Sequence, residues 1–395
     1  MPGPGAFWVG EEEKREVAEV LESGYLFRYG KLGDPRFKAK VYTLEQEVAK
    51  YCGVRYAVAT SSGTAALLIS LQALGVGPGD EIICPAYTFV ASYTSVIAAG
   101  GMPVLAEVDE SLTIDPEDIE RRITPKTKAI MPVHMLGNPS DMDALMDIAG
   151  RAGIAVIEDA CQSVGASYHG KRAAAIGAMG AFSLNFFKTV TAGDGGVAVT
   201  DDKELYEQAF GYHDQGHSPN RAGVEVGHRQ ILGLDFRMNE LTGAVALAQF
   251  RKIDKILSAL RAKKAKLRQA ISAVRGMHYR TVHDPAGECA TLLVVIFDSA
   301  ATAAGVAAKL NTKTVSQSGW HVYSNMEHVM RYMAERGQPH GKGAYPHTDD
   351  ILARSIALSV GVVDAGLGAG FGINIDASDE DIQRCADQFR RACGQ

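Results

Sequence analysis

Over the first 200 residues, short apolar runs alternate with stretches whose apolar positions recur at helical spacing. The runs are "YAVAT" (56–60), "EIICP" (81–85), "MPVLAEV" (102–108), "KAIMPV" (128–133), "IAVIED" (154–159), "GAFSL" (180–184) and "GVAVT" (196–200). Their length and their content of β-branched and aromatic residues predict strands, and "SGTAALLISLQAL" and "DMDALMDIAGRAG" between them predict helices. Such alternation implies parallel strands joined by helical crossovers, and the unbroken apolar character of several runs implies a sheet buried on both faces. From 238 to 275 the spacing predicts one long helix, after which "ATLLVVIF" (290–297) opens a second β-rich region. The fold expected is α/β: a large lobe over residues 1–250 with a mostly parallel seven-stranded sheet, then a linker helix and a smaller α/β lobe over 251–395. The N-terminal segment is expected to pack on the small lobe. Residues 312–348, rich in Gly, His, Ser and Tyr, read as loops.

Composition narrows the function classes. A chain of 395 residues exceeds the size at which one core keeps growing, so two lobes with room for a cofactor are expected. The balance of 40 Lys+Arg against 46 Asp+Glu argues against a nucleic-acid partner, and the basic cluster "RAKKAKLR" (261–268) is too local to change that. Six scattered cysteines with no CxxC pair fit free thiols in a reducing compartment. The early acidic turn of the N-terminus does not read as a signal peptide, and no apolar run would span a bilayer, so a cytoplasmic protein is expected with no membrane partner.

Three polar features fall at predicted strand ends, where ligands bind in open α/β sheets. In "TSSGTAALL" a strand ends at Thr60 and a helix begins near Gly63 and Thr64; its exposed N–H groups suit a phosphate, and the same residues would also simply cap the helix. In "IAVIEDACQS" a buried strand delivers Glu158 and Asp159 to its carboxyl end, where a carboxylate needs a cation or several donors, or serves as a helix cap. In "GAFSLNFFKTVTAGDGGVAV" one lysine, Lys188, follows an apolar run and precedes the glycines 193, 195 and 196, which let the backbone turn closely. Taken alone, that lysine would snorkel to solvent. "HDQGH" (213–217) has a helical zinc spacing, but Gly216 and Pro219 argue for a loop and no third ligand is evident, so no metal is expected. His134 in "VHMLG" suits a supporting hydrogen bond better than catalysis.

Jointly, from "SSGTAAL" through "PAYTFVAS", "EDACQS" and "FSLNFFKTVTAGDGG" to "LGLDFRMNELTGAVALAQF", the chain resembles the DegT/DnrJ-type sugar aminotransferases, a branch of the fold-type I pyridoxal-phosphate enzymes. The resemblance implies that Lys188 binds pyridoxal 5'-phosphate through an imine and later acts as general base, with pyridoxamine 5'-phosphate as the aminated form of the cofactor. Asp159 is implied to face the pyridine nitrogen; at about 4 Å and an effective dielectric near 20, such a pair is worth roughly 4 kcal/mol. Gly63, Thr64 and Ala65 match the phosphate cradle, with the Ser183 hydroxyl as a further donor. Phe89 takes the place of the aromatic residue stacked on the ring, or is ordinary core, and Gln162 that of the amide beside the cofactor hydroxyl. The implied reaction carries an amino group from an amino acid, usually glutamate, to a keto or aldehydo sugar, in a homodimer that builds each pocket at a two-fold interface.

The chain departs from the family pattern at Asp235, where an asparagine usually reaches the neighbouring subunit's cofactor phosphate; an aspartate there must turn away or meet a cation such as Arg237 or Arg229. The segments "YLFRYGKLGD" (25–34) and "GWHVYSNMEHV" (319–329) resemble a subgroup that forms 8-amino-3,8-dideoxy-octulosonate, which makes Arg28 and His321 candidate substrate contacts, or else surface residues on mobile loops. Rival readings are another pyridoxal-phosphate chemistry such as dehydration or decarboxylation, a cofactor-free Schiff-base aldolase, and a non-catalytic family member.

Overall fold

The seven apolar runs form the strands of one sheet: β1 (Tyr56–Thr60), β2 (Glu81–Pro85), β3 (Met102–Ala106), β4 (Thr127–Ile130), β5 (Ala155–Asp159), β8 (Met179–Ser183) and β9 (Gly196–Thr200), with a small hairpin of β6 (Ser167–Tyr168) and β7 (Lys171–Arg172) set apart. The order is β1-β9-β8-β5-β4-β2-β3. Strand β9 runs antiparallel to β1 and β8, and the other pairings are parallel. The structure, a computed structural model, describes residues 2–219, 230–362 and 369–395. Strand β8 is buried at every position and β5 at all but its first, as a sheet covered by helices on both faces requires.

A second, antiparallel sheet in the order β10-β11-β12 is made by β10 (Met277–Tyr279), β11 (Leu292–Phe297) and β12 (Ser355–Ser359). The core does not divide with the sheets: Val197 and Val199 of the first share a buried cluster with Leu293 and Val295 of the second. The N-terminal segment lies across this side, where Trp8 Nε1 donates to Asp376 Oδ1 at 2.9 Å.

Two expectations need correction. The single helix over 238–275 is two, Glu240–Phe250 and Ile253–Ala270, because long-range ion pairs act at the break. There Arg251 reaches Glu47 and Glu16, while Lys252 reaches Glu13 and the Trp8 carbonyl. The Asn239 side chain caps the first of the pair by accepting the Thr242 N–H. The stretch 312–348 is not all loop: it holds the helix Glu327–Ala334 and the start of Pro346–Arg354, whose apolar faces are buried through Val329, Met330, Met333, Ile351 and Leu352.

Candidate functional site

The carboxyl ends of β1, β5 and β8 and the turn after β2 open onto one cavity of about 560 Å³, a size suited to a cofactor with its substrate. At the end of β1 the chain passes directly into the helix Gly63–Ala73. Ser62 caps it, its hydroxyl oxygen accepting the Ala65 N–H at 3.0 Å. The Gly63 and Thr64 N–H groups, at the first turn, have no intrahelical partner, and both residues line the cavity with Ser183. Ala65 is therefore removed from the predicted cradle: its N–H serves the cap, and it does not line the cavity. Gly63 and Gly196 make the close packing possible. A Cβ on Gly63 would stand 2.7 Å from Ser183 Cβ, and one on Gly196 would stand 2.3 Å from the Ser62 carbonyl oxygen.

Asp159 ends β5 with only 4% of its surface exposed, yet it lines the cavity. It caps no helix. Its Oδ1 accepts the Cys161 N–H at 3.1 Å and its Oδ2 accepts the Ser92 hydroxyl at 2.7 Å. Strand alternation sends Glu158 to the opposite side, where it accepts N–H groups of Ala174, Ile176 and Gly177 and faces His134 Nε2 at 3.0 Å. His134 Nδ1 accepts the Ser140 N–H, so Nε2 carries the proton and donates it to Glu158. This is a buried structural pair. Burial pushes the Cys161 thiol well above its ordinary pKa, leaving a neutral sulfhydryl in the cavity wall.

Lys188 is half-buried in the turn between β8 and β9 and lines the same cavity as Asp159. Its N–H donates to the Asn185 carbonyl at 3.0 Å, and the N-terminal segment braces the turn from outside through Gly3 N–H to the Phe186 carbonyl at 3.0 Å. Gln162 Oε1 accepts the Leu136 N–H at 3.1 Å, which turns its amide NH₂ toward the cavity. Leu136 itself is held with φ at +55°, and Arg280 fixes it by donating to the Met135 and Leu136 carbonyls at 3.1 and 2.8 Å. Phe89 lines the cavity with His321, their ring centroids 5.3 Å apart, and is wall here, not interior core.

The other substrate candidate is corrected. Arg28 does not line the cavity; it is a buried structural cation, with Nη2 on Glu45 at 2.7 Å and Nη1 on the Ala59 carbonyl and His213 Nε2. His213 thus has both ring nitrogens engaged, Nδ1 lying 2.6 Å from the Phe210 carbonyl. Asp235 meets Arg237, whose Nη2 is 2.6 Å from its Oδ2 and whose Nη1 binds Asp214. Burial opposes charge on Asp214, but hydrogen bonds from Tyr29 and Arg237 hold its carboxyl below the usual range. Arg229 lies outside the described residues.

A model of the DegT/DnrJ/EryC1/StrS aminotransferase family matches residues 8–363. The chain belongs to this family. Within a stretch of 248 residues it is 38% identical to GDP-perosamine synthase of Caulobacter vibrioides, spanning 62% of this chain and 64% of that relative. It is similar in structure to DesI determined in the presence of its TDP-sugar product (TM-score 0.78, 26% identity, 97% and 90% of the two chains). It is also similar to NtdA from Bacillus subtilis with bound cofactor PMP (TM-score 0.79, 25% identity, 98% and 83%). The fold of this aminotransferase-family chain is therefore fold-type I. Sequence reasoning missed three parts of its site: Ser92, the Asn185–Asp194 hydrogen bond of 3.0 Å beside Lys188, and Trp320 at the mouth. Only Asn185 and Asp194 carried a signal, being polar residues on either side of Lys188 in the same turn.

Burial, then the Arg28 charge, lowers the His213 pKa from 6.5 to about 3. The unfolded chain then binds the extra proton first, so this contribution to stability is complete above about pH 6.5 and declines as pH falls toward about 3. Between about pH 6.5 and 5 the loss is about 2 kcal/mol. Comparing urea unfolding of the wild type and His213→Gln across that window is expected to show the steeper acid loss in the wild type; parallel curves would contradict it.

Proposed function

We propose that this chain is a pyridoxal 5'-phosphate-dependent aminotransferase moving an amino group from an amino acid donor, glutamate first among them, to a keto or aldehydo sugar. The observation that carries this reading is the presence of Lys188 and Asp159 on the walls of one cavity whose third side is a helix N-terminus. The residues fit the cofactor. Gly63 and Thr64 N–H groups with the Ser183 hydroxyl suit a phosphate, Gln162 NH₂ a phenolic oxygen, and Phe89 a ring face. The Asp194 carboxylate is drawn off by Asn185 Nδ2, which leaves Asp159 to meet the ring nitrogen.

When bound, the cofactor supplies an aldehyde and an electron-withdrawing ring that lets a proton leave the carbon bearing the amino group. Lys188 would hold the cofactor through Nζ, and the same amine, when free, would serve as the general base for that proton. Asp159 would hold the proton on the ring nitrogen, and its shielding from water would strengthen that pairing. The wall residues Leu67, Leu292 and Val362 would help exclude water from the cavity, which Trp320 and His321 also line.

The acceptor reading rests on the TDP-sugar product in whose presence DesI was determined and on the family. An eight-carbon keto-sugar acid is the finer proposal, supported by the resemblance of residues 319–329 and by His321 in the cavity wall; the withdrawal of Arg28 removes its other support. Leu26, Phe27, Leu232 and Leu234 are exposed apolar residues, with Arg237 over the Phe27 ring, and such exposure supports a homodimer sharing its sites. Among the described residues no helix is long and apolar enough to cross a membrane. All six thiols are unpaired, which supports a cytoplasmic setting.

Purified protein is expected to absorb in the visible, to lose that band on addition of L-glutamate, and to release 2-oxoglutarate. Lys188→Ala is expected to lower turnover by roughly 10²–10⁴-fold. A protein that cannot be made to bind the cofactor, or one indifferent to every amino donor, would contradict the reading. Because Arg237 already neutralises Asp235, Asp235→Asn is expected to leave cofactor affinity no weaker, measured by titrating the apoprotein; a marked loss would show that the carboxylate itself is needed.

A further inference from the structure

We propose that Ser92, hydrogen-bonded to Thr88, is a positioning residue that holds the Asp159 carboxylate in register with the cofactor ring. This rests on the reading of Asp159 just given. Thr88, Ser92 and Asp159 are 0%, 0% and 4% exposed, so water does not compete for their hydrogen bonds. Ser92 does not line the cavity and acts only through Asp159, whereas Thr88 also lines it, with its Oγ1 2.7 Å from Ser92 Oγ.

The direction of each hydrogen bond follows from proton counting. The Ser92 hydroxyl donates its single proton to Asp159 Oδ2 at 2.7 Å. Ser92 Oγ is then left to accept, and it lies 2.7 Å from Thr88 Oγ1. The other acceptor near Thr88, the Phe89 carbonyl, is at 3.5 Å, at the limit of a hydrogen bond. Both hydroxyl dipoles therefore point at the carboxylate, and the chain of hydrogen bonds fixes its orientation. With the Cys161 N–H on Oδ1, the carboxylate is gripped from two separate elements, the helix Ala91–Ala98 and the turn after β5.

The same relay ties the acid to the aromatic wall. Thr88 N–H donates to the His321 carbonyl at 2.9 Å and the next residue is Phe89, so the ring platform and the carboxylate are fixed through one hydroxyl pair. A mispositioned carboxylate weakens its hold on the ring nitrogen without altering the surface that receives the amino donor.

The test compares wild type, Ser92→Ala, Ser92→Thr, Thr88→Val and the double variant Thr88→Val/Ser92→Ala. Each apoprotein is titrated with pyridoxal 5'-phosphate by absorbance, melted without cofactor, and assayed for kcat and KM with the amino donor. Loss of a hydrogen bond to a charged group is expected to weaken cofactor binding about tenfold or more in Ser92→Ala. It should also lower kcat while the donor KM stays within about twofold. Ser92→Thr, which keeps the hydroxyl, should recover most of the loss; Thr88→Val should act in the same direction but less, and add nothing once Ser92 is alanine. Unchanged affinity and kcat in Ser92→Ala, a threonine variant as impaired as alanine, or independent addition of the two losses would each overturn the proposal. A wild-type apoprotein that takes up no cofactor would instead sink the reading of the site, and this inference with it.

Discussion

The hydrogen bonds that hold the Asp159 carboxylate, from the Ser92 hydroxyl and the Cys161 N–H, are the constraint around which the site is arranged. An acid at the end of a buried strand is unfavourable unless donors meet it, and here two elements brought together only by the fold supply them. The next strand, β8, ends in Ser183 and leads into the turn that carries Lys188, so neighbouring strand ends place acid, hydroxyl and amine on one cavity. The two carboxylates of "IAVIEDACQS" are separated by strand alternation alone. Asp159 faces the cavity, while Glu158 is consumed by three N–H groups and His134.

What supports the cavity from behind is mostly long-range. Arg280, from the region of the second sheet, holds the left-handed Leu136 in place, and Leu136 in turn aims Gln162. The N-terminal segment braces the Lys188 turn, and the cap Ser62 leaves just the Gly63 and Thr64 N–H groups for an anion. Two buried clusters each join residues of both sheets, so these supports are parts of one packed body rather than local ornaments.

Much of this was legible in the sequence because strand ends are local. The runs at 56–60, 81–85 and 196–200 coincide with β1, β2 and β9, and Lys188, Asp159, Gly63, Thr64, Ser183, Phe89, Gln162 and His321 all reach the cavity. What failed depended on distant partners. Arg28 lies in a segment resembling a substrate loop, yet its role is set by Glu45 and by His213, which is 185 positions away. The break at 251–252 involves good helix formers and is set by ion pairs to Glu13, Glu16 and Glu47. Ser92 sits in an unremarkable helix, and its partner Asp159 is 67 positions further on.

The most direct measurement is reductive trapping: treat the cofactor-loaded protein with sodium borohydride, digest it, and map the pyridoxyl group by mass spectrometry. A single adduct on the peptide containing Lys188 is expected. No adduct, or one on a lysine that does not line the cavity with Asp159, would contradict the proposed chemistry.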